Sequence, residues 1–152
     1  MENCKIRVGI THGDINGVGY EVILKTFSDP TMLELCTPVV YGSPKVAAYH
    51  RKAMEIQTSF SIVNSAEEVQ DGRVNVVNCI EEELKVELTK PTPEAGKAAL
   101  AALERALADY REGLFDVLVT APINKHTIQS DAFHFPGHTE YIEERVGEGQ
   151  KA

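Results

Sequence analysis

TPEAGKAALAALERALADYREGLFDVLVT, residues 92–120, is the stretch that decides the fold. Thr92 is suited to cap a helix that has proline at its first position, and leucines every three or four residues give that helix an apolar face. The helix should end near Gly113. FDVLVT, residues 115–120, then predicts a buried strand. A long helix leading directly into a buried strand is half of a βαβ unit, so this stretch indicates a parallel sheet.

The remaining sequence continues the same alternation. Further strands are predicted at residues 6–10, 37–42, 60–63 and 74–77. Further helices are predicted at residues 20–27, 44–54, 124–129 and 139–146. Strands that alternate with helices indicate an α/β fold with a mainly parallel sheet and helices on both faces. Because parallel strands carry ligands beyond their carboxyl ends, the loops that follow the strands are the places to look for a site.

Residues 81–90 are ambiguous. Leu84, Val86 and Leu88 alternate with charged residues, and this period of two favours an exposed strand or ribbon over a helix. The three glutamates that begin this segment, residues 81–83, are interpreted as a solvated edge that discourages strand pairing.

Composition narrows the class of protein. The net charge of −8 argues against nucleic acid or an anionic membrane as a partner. Cys4, Cys36 and Cys79 are odd in number and far apart, which indicates a reducing compartment and no cysteine zinc site. No apolar stretch approaches the roughly 20 residues that a spanning helix needs. We therefore expect a cytoplasmic protein with no nucleic-acid or membrane partner.

Two loops carry candidate binding residues. THGDINGVG, residues 11–19, is a glycine-rich turn between a strand and a helix. Such a turn can bring backbone N–H groups to a phosphate, or it can simply allow close packing of helix on sheet. Both interpretations stay open for this loop. Lys125 follows the strand at 115–120, where a cation could meet an anionic substrate or could be merely solvated.

A third candidate begins at a proline-glycine turn. Gly137, His138 and Thr139 follow Pro136 and precede a short charged helix. An imidazole and a hydroxyl at a helix entrance, next to free backbone N–H groups, form a favourable place for an anion.

The other histidines are given simpler roles. His134 and His138 have the spacing of a metal-binding pair on a helix, but Pro136 and Gly137 interrupt any continuous helix between them, so we reject a metal pair. His50 lies beside two basic residues and is predicted to be a solvated surface residue.

The three candidate segments occur in a recognisable order. They are Ile10-Thr11-His12-Gly13-Asp14 with Gly17-Val18-Gly19 and Glu21, then Thr120-Ala121-Pro122 with Lys125, then Gly137-His138-Thr139-Glu140 with Glu143-Glu144-Arg145. Together they resemble the 4-hydroxythreonine-4-phosphate dehydrogenase family of pyridoxal phosphate biosynthesis. The resemblance extends over nearly the whole chain, and it implies an isocitrate/isopropylmalate-dehydrogenase-like fold and a homodimer.

The resemblance also implies a chemistry. The family uses NAD or NADP to oxidise the secondary alcohol of 4-phosphohydroxy-L-threonine, and the product loses CO2 to give 3-amino-2-oxopropyl phosphate. A divalent metal (zinc, magnesium or cobalt) assists by stabilising negative charge on oxygen. By the match to the family motif, His138 and Thr139 are expected to bind substrate. Gly13, Asp14 and Lys125 are further candidates to line the cleft.

Two departures from the family pattern leave the substrate open. Gly19-Tyr20-Glu21 stands where a Gly-Pro-Glu segment is usual, and residues 14–16 (DIN) stand where a Glu-Pro-Ala type sequence is common. The alternatives are a related dehydrogenase of a phosphorylated threonate or sugar acid, and a non-catalytic module that binds a phosphorylated ligand.

The length of the chain gives a further expectation. The family's metal-binding histidines, and most of its cofactor-binding residues, lie downstream of the Gly-His-Thr motif, so the resemblance implies that the metal ligands lie beyond Ala152. Residues 1–152 are therefore expected to be the N-terminal part of a two-domain dehydrogenase, truncated, without metal ligands and inactive alone. Such a piece should expose strand edges, and we expect it to associate or to be poorly stable.

Overall fold

A computed structural model describes residues 5–130 and 132–147, and its centre is a five-stranded, all-parallel sheet. The strands are β1 (Ile6–Thr11), β2 (Cys36–Gly42), β3 (Phe60–Val63), β4 (Val74–Asn78) and β5 (Val117–Thr120). The helices are α1 (Gly19–Thr26), α2 (Pro30–Leu35), α3 (Pro44–Ala53), α4 (Pro93–Arg111) and α5 (His138–Val146), with a 3-10 turn at Ala66–Glu68. The order across the sheet is β3-β4-β2-β1-β5.

The sheet is covered on both faces, as predicted for the α/β class. On one face Ile10 and Val40 pack with Tyr20 and Ile23 of α1. On the other face Tyr41 of β2 lies among buried residues of β4 and α4. Parallel strands with covered faces bury nearly continuous apolar runs, and β2 and β4 follow that pattern.

The α4 helix confirms the helix that was predicted from residues 92–120. The Thr92 hydroxyl accepts the N–H of Ala95 at 3.2 Å, which is the expected N-cap. Alanines of α4, Ala102 and Ala106 among them, lie against the sheet. The leucine stripe instead faces a third cluster, with Phe133, Tyr141 and α5. The small residues bring α4 close to the strands, and the large ones hold the segment that follows β5.

The expectation of a strand at 81–90 was wrong. Within the described chain these residues form turns and irregular structure and join no sheet. Leu84 and Val86 pack against the core, so their alternation reflects burial of one side of a loop. The backbone N–H of Glu87 donates to the side-chain Oδ1 of Asn16 at 2.8 Å, where a strand would have donated to a neighbouring strand.

The short helix expected at 124–129 is also absent from the described residues. The Asn124 carboxamide oxygen accepts the N–H groups of His126 and Thr127 at 3.0 and 3.1 Å. This local capping produces a turn, which is a common alternative to helix for asparagine. In contrast, α2 was not predicted. Its signal was present in Asp29, whose side chain caps Pro30–Leu35 by accepting the N–H of Thr31 at 2.9 Å.

His50 is a core residue, which corrects its predicted place on the surface. It is buried, and its Nε2 donates to the carbonyl of Ile15 at 2.7 Å. Its ring stacks on Tyr20 with centroids 5.4 Å apart. Burial lowers the pKa of His50, so the neutral ring is the form that fits. None of the helices in the described residues combines the length and apolar character that a bilayer crossing requires.

Candidate functional site

The loops after β1 and β5 meet at the carboxyl edge of the sheet. The N–H of Asp14 donates to the carbonyl of Pro122 at 2.9 Å. Gly13 has a positive φ of 67°, and a β-carbon there would lie 2.3 Å from the same carbonyl oxygen. Only glycine allows both that backbone conformation and that approach. The structure thus brings Gly13 and Asp14 beside the segment that leads to Lys125.

Backbone packing accounts for the glycine-rich loop. A β-carbon on Gly19 would lie 2.5 Å from the carbonyl oxygen of His12. The N–H groups of Asn16 and Gly17 both donate to Asp14, at 3.0 Å each. Because these N–H donors already have acceptors within the loop, the geometry favours one of the two interpretations. The loop is a tight turn that allows close packing of helix on sheet, and it is not a phosphate-binding loop. Asp14 instead lines a groove of about 270 Å³ together with Asn124.

Asn16 joins this loop to the start of α4. Its Nδ2 donates to the Lys90 carbonyl at 2.9 Å and to the Thr92 hydroxyl at 3.2 Å, while its Oδ1 accepts the Glu87 N–H. The backbone carbonyl of Asn16 also accepts the N–H of Thr89 at 2.9 Å. One nearly buried side chain therefore fixes the irregular segment 87–92 against the first loop.

We expect Asn16→Ala to destabilise the chain by about 2 kcal/mol, because the buried Asn16 side chain makes three hydrogen bonds, to Glu87, Lys90 and Thr92, that alanine cannot replace. Urea unfolding followed by circular dichroism measures this change. Gln70→Ala is a suitable control because Gln70 is exposed and should leave the midpoint nearly unchanged. Equal midpoints for Asn16→Ala and the unmodified chain would contradict this role of Asn16.

His12 lies beneath the same loop and is fully buried. Its Nε2 donates to the Ala98 carbonyl at 2.9 Å, and its Nδ1 accepts from the Tyr20 hydroxyl at 2.8 Å. That hydroxyl in turn accepts the N–H of Ser43 at 3.0 Å. Burial lowers the pKa of His12 to about 4, so His12 is a neutral structural residue. The sequence pattern contained no sign of this network.

The entrance of α5 holds the two predicted substrate residues. His138 and Thr139 are the first two residues of the helix, and Gly137 is its N-cap. Among the described residues no side chain caps this end, so the first-turn N–H groups are available to an anion. His138 is half-buried, whereas Thr139 is exposed. Thr139 therefore lies on the solvent side of this entrance.

Lys125 lies over Gly137 and next to His138. A β-carbon on Gly137 would sit 3.6 Å from Cε of Lys125 and 3.9 Å from its Nζ. The pKa of His138 is lowered, first by burial and then by the positive charge of Lys125. A neutral imidazole can donate one hydrogen bond and accept another. The Glu140 carboxylate flanks the same glycine and is a competing partner for the lysine.

The segment from Lys125 to His138 is held by contacts that sequence reasoning missed. The side-chain amide of Gln129 donates to the carbonyls of Lys125 and Phe135, at 2.9 and 2.7 Å. Below it, Phe133 stacks on Tyr141 with ring centroids 4.8 Å apart. In the sequence, Phe133 and Tyr141 were the residues that could have indicated this contact. They fix the distance between the lysine loop and the α5 entrance.

The part of the chain that the structure describes contains no group of three histidine, cysteine, aspartate or glutamate side chains able to hold a metal ion. The residues around Lys125 and His138 are suited to an anion, because cationic and N–H donor groups predominate there. The described residues therefore do not fit the divalent metal that the family resemblance implies.

The expected position of the metal ligands, beyond Ala152, stays a prediction. Ala152 itself lies outside the described residues, which end at residue 147.

A model of the family described as pyridoxal phosphate biosynthetic protein PdxA matches residues 34–152. The chain belongs to the PdxA family. The match includes Lys125, His138 and Thr139, and the resemblance seen in the sequence motifs is confirmed. PdxA relatives carry the name of a dehydrogenase, so the chain belongs to a dehydrogenase family associated with pyridoxal phosphate biosynthesis.

Individual PdxA relatives agree with this assignment. A 4-hydroxythreonine-4-phosphate dehydrogenase of Bacteroides thetaiotaomicron is 74% identical over 152 residues, which are 100% of this chain and 42% of the relative. A protein of Oceanobacillus iheyensis, provisionally named D-threonate 4-phosphate dehydrogenase, is 32% identical over 90% of this chain and 42% of its own length. The crystal structure of a 4-hydroxythreonine-4-phosphate dehydrogenase from Burkholderia phymatum superposes with a TM-score of 0.84 at 28% identity, covering 95% of this chain and 44% of that one. The chain thus spans less than half the length of these PdxA relatives.

Proposed function

We propose that this chain forms the substrate-binding wall of a PdxA dehydrogenase that oxidises 4-phosphohydroxy-L-threonine. The observation that carries the proposal is the uncapped entrance of α5, where Lys125 lies next to His138 and Thr139 follows in the first turn of the helix. The name and 74% identity of the Bacteroides relative support the substrate.

The chemistry of the entrance suits a phosphorylated hydroxy acid. The Lys125 ammonium and the free N–H groups of α5 attract an anionic group, either phosphate or carboxylate. His138, neutral at physiological pH because its pKa is lowered, can hydrogen-bond to a hydroxyl or an anion without adding a second charge. Thr139 offers a hydroxyl on the solvent side. Together these groups orient a substrate. Asp14 lines the neighbouring groove, and Gly13 forms the tight turn beside it.

The remaining steps belong to the complete enzyme. NAD or NADP would accept the hydride, and the resulting keto acid would lose CO2 to give 3-amino-2-oxopropyl phosphate. A divalent metal, when bound, would stabilise negative charge on the substrate oxygen. Its ligands would come from parts of the family fold beyond Ala152. We further propose that the chain is the N-terminal part of a two-domain, cytoplasmic homodimer and that residues 1–152 alone are inactive.

The binding step can be tested on residues 1–152. Calorimetric titration with 4-phosphohydroxy-L-threonine should show saturable binding, weakened about tenfold by Lys125→Met or His138→Ala, which each remove about 1.5 kcal/mol of hydrogen bonding to a charged group. His126→Ala is the matched control, because His126 is exposed on the same loop. Unchanged affinity in both site variants would contradict the proposed wall.

A second measurement separates the substrate from its alternatives. A chimera in which residues 1–152 replace the matching part of the Bacteroides relative should reduce NAD(P)+ with 4-phosphohydroxy-L-threonine. The Oceanobacillus relative favours 4-phospho-D-threonate as the second candidate. Faster turnover of the threonate would assign that substrate instead. Binding of either compound without turnover in the chimera would favour a non-catalytic module.

A further inference from the structure

The entrance of α5 carries two opposite charges beside one glycine. A β-carbon on Gly137 would lie 3.9 Å from Nζ of Lys125 and 3.7 Å from Oε2 of Glu140. Within the described part of the chain these two groups do not form an ion pair with each other. An ammonium and a carboxylate therefore flank the same turn of backbone, and neither neutralises the other.

The Glu140 carboxylate has no structural task at this entrance. Glu140 is the third residue of α5, the position from which a carboxylate often reaches back to the N–H of the N-cap residue. No side chain caps this end among the described residues, and Glu140 is exposed. Asp14, the other carboxylate of the candidate site, already accepts the N–H of Asn16 at 3.0 Å. Glu140 is thus the carboxylate that a ligand at the entrance can reach.

A carboxylate at this place opposes the binding of a ligand that is only anionic. The N–H groups of α5 and the ammonium of Lys125 attract an anion, whereas Glu140 repels it at short range. His138 adds no positive charge to offset Glu140, because burial and then the charge of Lys125 lower the pKa of the imidazole. Opposite charges within one site are instead complementary to a ligand that carries both an anionic and a cationic group.

The two candidate substrates differ in this respect. In 4-phosphohydroxy-L-threonine the carbon next to the carboxylate carries an ammonium group, whereas in 4-phospho-D-threonate it carries an uncharged hydroxyl. We propose that Glu140 binds the ammonium group of the substrate and thereby selects the amino acid over the threonate. This role of Glu140 rests on the proposed function, because it requires a phosphorylated hydroxy acid to bind at the entrance of α5.

Calorimetric titration of residues 1–152 with two matched ligands tests the role of Glu140. One ligand is 4-phosphohydroxy-L-threonine, and the other is its analogue with a hydroxyl of the same configuration in place of the ammonium group. The unmodified chain should bind the amino acid about fivefold more tightly, as an exposed ion pair allows. Glu140→Gln should abolish this preference, because glutamine keeps the length and capping ability of the side chain without its charge.

Two further variants serve as controls. Glu144 is exposed one turn further along α5, about 6 Å from Glu140 along the helix axis. Glu144→Gln removes the same charge and should leave the preference intact, which excludes a general effect of net charge. Lys125→Met should weaken the binding of both ligands equally, because their anionic groups are the same. Circular dichroism melts verify that each variant folds.

The results distinguish a wrong role for Glu140 from a wrong function. Equal affinity of the unmodified chain for the two ligands, or a preference that Glu140→Gln leaves intact, would overturn the role of Glu140 and leave the proposed function standing. A preference that is lost in Asp14→Asn and kept in Glu140→Gln would assign the ammonium group to Asp14 instead. Failure of both ligands to bind the unmodified chain would contradict the proposed function itself, and the role of Glu140 with it.

Discussion

Replacing Gly96 with alanine should destabilise the chain by about 3 kcal/mol, although the same change within an exposed helix usually stabilises by up to about 1 kcal/mol. A β-carbon on Gly96 would lie 1.9 Å from the carbonyl oxygen of Thr127 and 2.5 Å from its carbonyl carbon. Both atoms belong to backbone, so the clash can be relieved only by moving α4 or the loop. Chemical denaturation measures the loss of stability.

Two controls separate the clash from helix propensity. A β-carbon on Gly17 would lie 3.4 Å from its nearest neighbour, the carbonyl oxygen of Asp14, which is an ordinary contact. Gly17→Ala should therefore change the free energy of unfolding only slightly. Ala108→Gly, at an exposed position of the same helix, should destabilise by about 1 kcal/mol through propensity alone. A stabilised Gly96→Ala variant would mean that α4 does not approach the Thr127 loop as closely as described.

Acidification should remove about 3 kcal/mol of stability through His12 alone. The pKa of this buried imidazole is about 4 in the folded chain, against an ordinary value of about 6.5 when unfolded. As the pH falls, the unfolded chain takes up a proton first. The contribution of His12 to the free energy of unfolding is therefore intact above about pH 6.5. It falls by about 1.4 kcal/mol per pH unit between pH 6.5 and pH 4.

The effect can be measured by urea unfolding between pH 6.5 and pH 5, where ordinary carboxylates remain mostly ionised. His50, whose pKa is also lowered by burial, should add to the slope in the same direction. NMR should show the His12 ring resonances unchanged across this range. A His12 resonance that titrates above pH 6, or a urea midpoint that is flat with pH, would contradict the buried neutral network.

Local signals allowed much of the fold to be predicted. The capping residues Ser43 and Thr92 place α3 and α4 correctly, because each side chain accepts a first-turn N–H as such caps normally do. The alternation of strands with helices sufficed for a parallel sheet. The order of strands was not predictable in this way, since it depends on contacts far apart in sequence.

Errors arose where a side chain from a distant segment decided the structure. The strand expected at 81–90 failed because Asn16, about 70 residues away, binds the backbone of Glu87. His50 looked solvated because its neighbours are basic, yet Ile15 and Tyr20 enclose it. No local pattern reports such partners.

The candidate site was predictable only in part. His138 and Thr139 were identified from their motif, and the turn before them correctly indicated a helix entrance. The proximity of Lys125 to Gly137 was not visible in the sequence, because it depends on how the loop between them is closed by Gln129 and packed on Phe133.

The place of β1 between β2 and β5 has a consequence for synthesis on the ribosome. Arg7, in β1, and Asp116, beside β5, are hydrogen-bonded across a separation of 109 residues. At about 5–20 residues per second, β1 emerges roughly 5–20 seconds before its second neighbour exists. During that interval one side of a central strand is unpaired in the nascent chain. We expect this stage to be the point at which the growing polypeptide most needs chaperone protection.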